Sequence, residues 1–238
     1  MNLPNPAEQN LQIVTTVAHA LGPLRESLVF VGGCVTGLLV TDVRSQPIRA
    51  TKDVDLVAHV TSQRDYHRLE KQFVSYGFVH DTAPDAPICR WKRGEILIDL
   101  MPTREGVLGF HNRWYALAVE TAQPYHLPDR TKISLITAPV FLGTKFEAFK
   151  DRGKGDFFGS HDIEDVITIV DGRQTLIDEA HKAPHELQIY LSAQFSALIS
   201  TPDFADALPG HLSPDAASQQ RAPRLMERIK VLSQLVRG

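Results

Sequence analysis

TKDVDLVAHV, residues 51–60, combines the composition of a β-strand with two aspartates at alternate positions. Side chains alternate between the two faces of a strand, so Asp53 and Asp55 are predicted to lie on one face, with Val54 and Leu56 on the other. Two carboxylates held this close raise each other's pKa unless a cation neutralises them. The pair therefore predicts a metal site, with solvated strand ends as the alternative.

A third aspartate, Asp99, lies in the apolar run ILIDLMP, residues 96–102. Aspartate is disfavoured in such a strand and an unpaired buried charge is costly, so Asp99 needs a partner. The metal held by Asp53 and Asp55 is the obvious one. Ligands that are all oxygen favour Mg²⁺ or Mn²⁺ over zinc.

A glycine turn precedes the acidic strand in SLVFVGGCVTGLLV, residues 27–40. The first five residues are rich in β-formers, and CVTGLLVTD, residues 34–42, is predicted to be a helix that begins at the turn. Glycine lets backbone N–H groups approach a phosphate, and the start of a helix presents its positive end to an anion. Gly32 and Gly33 are therefore predicted to bind phosphate, with tight packing of strand on helix as the alternative.

The composition sets limits on other functions. The chain has 238 residues and a net charge of −3, which gives no overall electrostatic field that would attract nucleic acid. A local basic patch is still compatible with this net charge. Its two cysteines, Cys34 and Cys89, lie far apart and form no zinc motif. The longest mostly apolar window falls short of the roughly 18 residues of a membrane span, and no secretory signal is present, so we expect a soluble, cytoplasmic protein.

The remaining pattern divides the chain in two. Helices are predicted at 6–21 and 62–77, a strand near 77–80, a hairpin formed by 88–93 and 95–101, and a strand at 132–138, with 102–130 irregular. After Pro139 every periodic segment is helical in pattern, and 201–218 is predicted to be a loop. We therefore expect an α+β fold, in which a mixed β-sheet domain flanked by helices (1–138) precedes an α-helical domain (139–238).

The order of these motifs resembles the polymerase-β-like nucleotidyltransferases, and more closely the AbiEii/AbiGii-type toxin nucleotidyltransferases of toxin–antitoxin and abortive-infection systems. The resemblance covers roughly residues 25–175. After the glycine turn and the three aspartates it includes two further motifs, K-x-x-A-x-x-x-R at Lys145, Ala148 and Arg152, and S-x-D-x-x-D at Ser160, Asp162 and Asp165.

The resemblance implies an enzyme that transfers an NMP from an NTP, such as ATP, to a hydroxyl acceptor with two metal ions. Asp53 and Asp55 would hold both ions, and Asp99 would ligate the ion that activates the acceptor and could take its proton. Lys145 would reach the β- or γ-phosphate across a cleft between the two domains, and Asp162 would help complete the nucleotide site. Cys34, also assigned to the nucleotide, replaces the serine that often follows the second glycine in the family.

The acceptor and the partners remain open. For the closest toxin relatives the resemblance implies RNA, especially a tRNA 3′ end, while a protein hydroxyl or a small molecule is possible on the same scaffold. A cognate antitoxin protein is a further expected partner. The alternatives are a non-catalytic nucleotide- or partner-binding module on the same fold, and a metal-dependent nuclease that uses the same acids. A dinucleotide-binding turn is disfavoured because the glycines are spaced G-G-x-x-x-G.

Overall fold

The structure is a computed structural model that describes residues 5–42 and 48–236. The chain divides into two compact units. The first unit comprises Met1–Gly37 and Arg49–Thr137, and the second comprises Leu38–Ile48 and Ala138–Gly238.

In the residues that the structure describes, the first unit contains a seven-stranded mixed sheet and helices, and the short helix Thr36–Leu39 crosses from the first unit into the second. In chain order these are α1 (Pro6–Leu21), β1 (Leu28–Val31), α2 (Thr36–Leu39), β2 (Asp53–Ala58), α3 (Gln63–Ser75), β3 (Val79–His80), β4 (Arg90–Arg93), β5 (Ile96–Pro102), α4 (Tyr115–Thr121), β6 (Gln123–His126) and β7 (Lys132–Leu135). Short 3-10 helices occupy Gly22–Ser27 and Gly33–Val35.

The acidic strand lies at the centre of this sheet. The strand order is β3-β4-β5-β2-β1-β7-β6. β2 runs antiparallel to β1 and parallel to β5, so it has hydrogen-bonded neighbours on both sides. Val54 and Leu56 are fully buried, which contributes about 1.5–3 kcal/mol per side chain of this size and fixes which face of β2 points into the core. The register of the acids is therefore set by the core.

The predicted helices of the first unit are confirmed where the apolar spacing is regular. α1 buries Val14, Val17, Ala18 and Leu21. α3 begins after Ser62, whose side chain accepts a hydrogen bond from the backbone N–H of Asp65, and it buries Tyr66, Leu69 and Phe73. Gly77 follows with a φ of 81°, a conformation that suits glycine and ends the helix.

Two predictions for the first unit are wrong in part. The helix expected over 34–42 is reduced to the 3-10 helix Gly33–Val35 and the four residues of α2. The segment 102–130, expected to be irregular, contains α4 and the edge strand β6. β6 accommodates Pro124 because an edge strand has one side without a ladder to donate to.

The second unit is helical in the residues that the structure describes. Its helices are α5 (Ala138–Arg152), α6 (His161–Gly172), α7 (Leu176–Lys182), α8 (His185–Ser200), α9 (Pro202–Ala207), α10 (Ala216–Gln219) and α11 (Ala222–Leu232), with a 3-10 helix at Leu208–His211. The loop predicted over 201–218 is therefore wrong: most of it is helical, and Phe204 and Ala207 of α9 are buried. The α+β fold class, with a mixed sheet flanked by helices and a helical part after it, is confirmed.

Two basic residues, one directly before α11 and one within it, stabilise the second unit. Arg221 forms an ion pair of 2.7 Å with the buried carboxylate of Asp171. Arg228 donates hydrogen bonds of 2.6 Å to the carbonyls of Val170 and Arg173, which lie at the end of α6. On sequence, a solvated helix face, with contact to tRNA phosphates as the alternative, is predicted for the basic residues Arg221, Arg224, Arg228, Lys230 and Arg237. The prediction of a solvated face is wrong for Arg221 and Arg228, and Arg237 lies outside the described residues.

Over 5–42 and 48–236, no helix combines the length and the apolar character needed to cross a membrane.

Candidate active site

The two aspartates of β2 lie on its partly exposed face. Asp53 and Asp55 are both half-buried, whereas Val54 and Leu56 between and beyond them are fully buried. This alternation is the one expected from the sequence.

Asp99 is brought to the same place by strand pairing. β5 runs parallel to β2, and its Asp99 lies level with Asp55 in the ladder, while Leu97 lies level with Asp53. Residues directly opposite each other in a ladder point to the same face. The three predicted acids therefore share one face of two adjacent central strands.

Arg90 joins two of these acids. It is the cross-strand partner of Asp99 in the β4–β5 ladder. Its Nε donates to Oδ1 of Asp99 at 2.7 Å and its Nη2 donates to Oδ2 at 2.8 Å, the bidentate geometry that a planar guanidinium makes with a carboxylate. Nη2 also donates to Oδ2 of Asp53 at 2.5 Å. The hydrogen bonds to Asp99 raise the pKa of Arg90, against the opposing effect of burial, so Arg90 is a fixed cation.

The chemistry of the three carboxylates fits a hard divalent cation, and the guanidinium of Arg90 already stands as a cation between two of them. In the structure, however, Arg90 itself binds the carboxylates of Asp53 and Asp99. Across 5–42 and 48–236, no group of three or more His, Cys, Asp and Glu side chains is placed so that it could hold a metal ion. Asp53, Asp55 and Asp99 are the residues that would hold such an ion. Its binding would replace the hydrogen bonds that Arg90 donates to Asp53 and Asp99.

The glycine turn packs against the acidic strand. Gly32 has a φ of 72° and a ψ of −172°, a region that is essentially restricted to glycine. A Cβ on Gly32 would overlap the carboxylate of Asp55, and a Cβ on Gly33 would overlap the guanidinium of Arg49. Both glycines therefore allow a close approach of side chains to the backbone of the turn, and their predicted contact with phosphate remains a prediction.

Two parts of the predicted phosphate site differ from expectation. α2 has only four residues, so a strong helix dipole does not contribute at this turn. Cys34 is 1% exposed and its thiol donates a hydrogen bond to the carbonyl of Val31 at 3.3 Å, so its side chain is directed into the interior. A cysteine suits this buried position, because cysteine behaves as a small apolar side chain.

The lysine, arginine and aspartates of the two later motifs form one cluster in the second unit. The amine of Lys145 lies 2.6 Å from Oδ2 of Asp165 and 3.3 Å from Oδ1 of Asp162, and all three side chains are buried. Arg152 makes a bidentate pair with Asp162, with both distances at 2.8 Å. Ser160 caps α6 by accepting a hydrogen bond from the backbone N–H of Ile163. The spacing of the motifs thus places residues from α5 and α6 side by side.

Asp162 is ionised in this cluster. Burial raises the pKa of Asp162, but the hydrogen bond from Arg152 and the charge of Lys145 outweigh it, and the pKa lies below its ordinary value. A favourable interaction with the helix dipole does not by itself explain why Asp162 and Asp165 stand at the start of α6. Asp165 is also paired with the buried amine of Lys145, and Asp162 is paired with the guanidinium of Arg152. The predicted roles of Lys145 and Asp162 in nucleotide binding stay predictions.

Sequence reasoning missed Arg90. The signal that could have identified it is the register of the hairpin, whose strands are joined at Gly94, with a φ of 58°, and Glu95. Arg93 pairs with Ile96 next to the turn. Three residues back along β4 and three residues forward along β5, Arg90 therefore lies opposite Asp99. Its contact with Asp53 also requires the order β4-β5-β2, which the hairpin alone does not give.

Comparison with solved structures identifies the architecture. An antigenic nucleotidyltransferase-like protein from Paracoccidioides brasiliensis matches with a TM-score of 0.51 and 21% sequence identity, over 84% of this chain and 92% of that chain. The chain has a nucleotidyltransferase-like fold. JHP933 from Helicobacter pylori matches with a TM-score of 0.48 and 10% identity, over 99% of this chain and 95% of that chain, which is too weak to support an argument. No protein-family model and no curated protein matches the chain.

Proposed function

We propose that this chain is a metal-dependent nucleotidyltransferase that moves an NMP from an NTP to a hydroxyl acceptor. The observation that carries the proposal is the placement of Asp53, Asp55 and Asp99 on one face of adjacent strands beside a glycine turn, in a nucleotidyltransferase-like fold. Mg²⁺ or Mn²⁺, as a pair of ions, would stabilise the charge on the attacking and leaving oxygens of the phosphoryl group.

The residues of the chain have separate tasks in this proposal. Asp53 and Asp55 would hold the ions, and the backbone of Gly32, Gly33 and Cys34 would line the turn that receives the triphosphate. Asp99 completes the set and is the candidate to accept the proton of the attacking hydroxyl. Both oxygens of Asp99 accept hydrogen bonds from Arg90, so in this proposal Arg90 moves away from the carboxylate before Asp99 accepts that proton.

The proposal for the acceptor rests on the resemblance to a known family. The resemblance to the AbiEii/AbiGii-type toxins supports RNA, in particular a tRNA 3′ end, and a role as the toxin of a toxin–antitoxin or abortive-infection system with a cognate antitoxin partner in the cytoplasm. Lys145 and Asp162 are assigned to the nucleotide on the same resemblance. A protein hydroxyl or a small-molecule acceptor would use the same three carboxylates.

The test is transfer of label from each α-labelled NTP to total RNA or cell lysate in the presence of Mg²⁺ or Mn²⁺. We expect label in a macromolecule with the unaltered protein and at least a roughly hundredfold loss in Asp53→Asn, which keeps the shape of the side chain and removes its charge. Asp85→Asn is the control, because Asp85 is an exposed carboxylate of the same unit. Equal labelling by Asp53→Asn and the unaltered protein would overturn the assignment.

The same assay separates the other candidate functions. A nuclease would shorten RNA without NTP and release no pyrophosphate, whereas a transferase releases one pyrophosphate for each NMP transferred. A non-catalytic binding module would retain NTP in equilibrium dialysis and transfer no label to any acceptor.

A further inference from the structure

The guanidinium of Arg90 occupies the position of a cation among the acids. It accepts no hydrogen bond itself and donates three, two to Asp99 and one to Asp53. Two of the three carboxylates that are proposed to bind a divalent cation, those of Asp53 and Asp99, are thus already paired with a cationic side chain of the same protein.

The reach of Arg90 distinguishes it from an ordinary cross-strand ion pair. Its neighbour in the β4–β5 ladder is Asp99. An ion pair that only stabilised the pairing of these two strands would involve Asp99 and no further carboxylate. The side chain instead extends past β5 to Asp53 on β2. A single guanidinium therefore links two carboxylates on different strands.

The surroundings allow this cation to be exchanged for another. The side chain of Asp99 is 11% exposed, so loss of Arg90 without a replacement would leave a nearly buried carboxylate uncompensated. The side chains of Arg90 and Asp53 are 20% and 33% exposed, so the outer end of the network remains in contact with solvent. A hydrated metal ion can approach from that side.

We infer that Arg90 is the resident counter-cation of the acid site, a positioning residue that holds Asp53 and Asp99 in place and competes with a divalent cation for them. The inference rests on the proposed function for the identity of that cation. It follows that metal affinity is set by an exchange, in which binding of the ion to these carboxylates requires displacement of the guanidinium.

The experiment is titration of the nucleotide-free protein with Mn²⁺, followed by the electron paramagnetic resonance signal of the free ion. Arg90→Gln removes the competing charge, and we expect it to bind Mn²⁺ about tenfold more tightly than the unaltered protein. Arg93→Gln is the matched control, because Arg93 lies on the same strand and donates to the carbonyl of Ala20. Its Mn²⁺ affinity is expected to equal that of the unaltered protein.

Thermal unfolding provides a second readout in the same samples. Arg90→Gln is expected to have a lower melting temperature without metal and to recover a larger part of it on addition of Mn²⁺ than the unaltered protein does. If Arg90→Gln does not fold, Arg90→Lys replaces it, since a lysine keeps the charge but cannot make the fork to Asp99. Arg90→Lys is then expected to bind Mn²⁺ more tightly than the unaltered protein.

The inference is overturned if the variants at Arg90 bind Mn²⁺ no more tightly than the unaltered protein, since Arg90 would then be a structural ion-pair residue. Its failure is distinguishable from failure of the proposed function. Tighter Mn²⁺ binding by Arg90→Gln in a chain that transfers no NMP supports the inference and counts against the transferase. NMP transfer combined with unchanged Mn²⁺ affinity supports the transferase and overturns the inference.

Discussion

Gly32 and Asp55 face each other so closely that a Cβ on Gly32 would lie 2.7 Å from the Cβ of Asp55 and would overlap its carboxylate. The turn that follows β1 and the acidic strand β2 are therefore fitted to each other, and only a glycine permits the fit. The φ of 72° at Gly32 adds a second, independent requirement for glycine.

Gly32→Ala is expected to destabilise the protein and to displace Asp55. The backbone conformation alone costs about 1–3 kcal/mol for a residue with a side chain, and the overlap with Asp55 adds to this. The measurement is the urea dependence of unfolding, followed by circular dichroism.

Gly210→Ala is the control for that substitution. A Cβ on Gly210 meets no atom within 4 Å, so its unfolding midpoint should remain close to that of the unaltered protein. Equal midpoints for Gly32→Ala and Gly210→Ala would show that the turn adjusts at little cost.

Lys145→Met is expected to lower the free energy of unfolding by about 3–5 kcal/mol, because it removes the amine that lies 2.6 Å from the buried carboxylate of Asp165. Methionine keeps much of the length of the side chain, so lost packing contributes little. The measurement is again urea unfolding at neutral pH.

Lys150→Met tests the same substitution on an exposed face of α5. Lys150 pairs with Glu147 at 3.2 Å and its side chain is 46% exposed, so the expected loss is at most about 1 kcal/mol. If Lys145→Met and Lys150→Met lose a similar free energy of unfolding, the buried ion pair between Lys145 and Asp165 contributes no more to stability than an exposed ion pair does.

The pH dependence of stability should reveal Asp162. Its pKa in the folded protein lies below the ordinary value, so its contribution to stability is complete above about pH 5 and is lost as pH falls through the lowered pKa. Arg152→Met removes a hydrogen-bond donor that lowers this pKa. The difference in unfolding free energy between Arg152→Met and the unaltered protein should be largest near neutral pH and should shrink toward pH 2.

Arg64→Met provides the comparison, because Arg64 is exposed on α3. Its effect on stability should be small across the same pH range. A difference for Arg152→Met that stays constant from pH 7 to about pH 2 would mean that the pair with Asp162 does not perturb its protonation.

The face shared by Asp53 and Asp55 could be predicted because it depends on local alternation and on burial of Val54 and Leu56. The hairpin that presents Asp99 was also readable from sequence, since β-rich segments flank a glycine turn. The contact between Arg90 and Asp53 could not be predicted, because it depends on β5 inserting between β4 and β2. Sequence pattern indicates which residues pair across the β4–β5 hairpin. It does not indicate that β5 pairs in parallel with β2, which is distant in sequence.

The error at α9 has a different origin. The prolines and turn formers of 201–218 favour a loop on sequence, although a proline in the first turn and an early acidic residue, here Pro202 and Asp203, are also signals of a helix start. Burial of Phe204 and Ala207 then stabilises a helix of six residues that its own propensity would not maintain. Composition alone does not separate these two uses of proline.

Both thiols are expected to be unreactive in the folded protein. Burial raises the pKa of Cys89 to about 12, with further contributions from the charges of Asp99 and Asp55, so almost no thiolate is present at pH 8. Cys34 is 1% exposed and is hydrogen-bonded to Val31. A thiol-specific colorimetric reagent should therefore detect no cysteine in the native protein and both cysteines after denaturation in guanidinium chloride. Rapid native labelling of Cys34 alone would show that the glycine turn opens to solvent, and labelling of Cys89 would show that the buried position just before β4 does so.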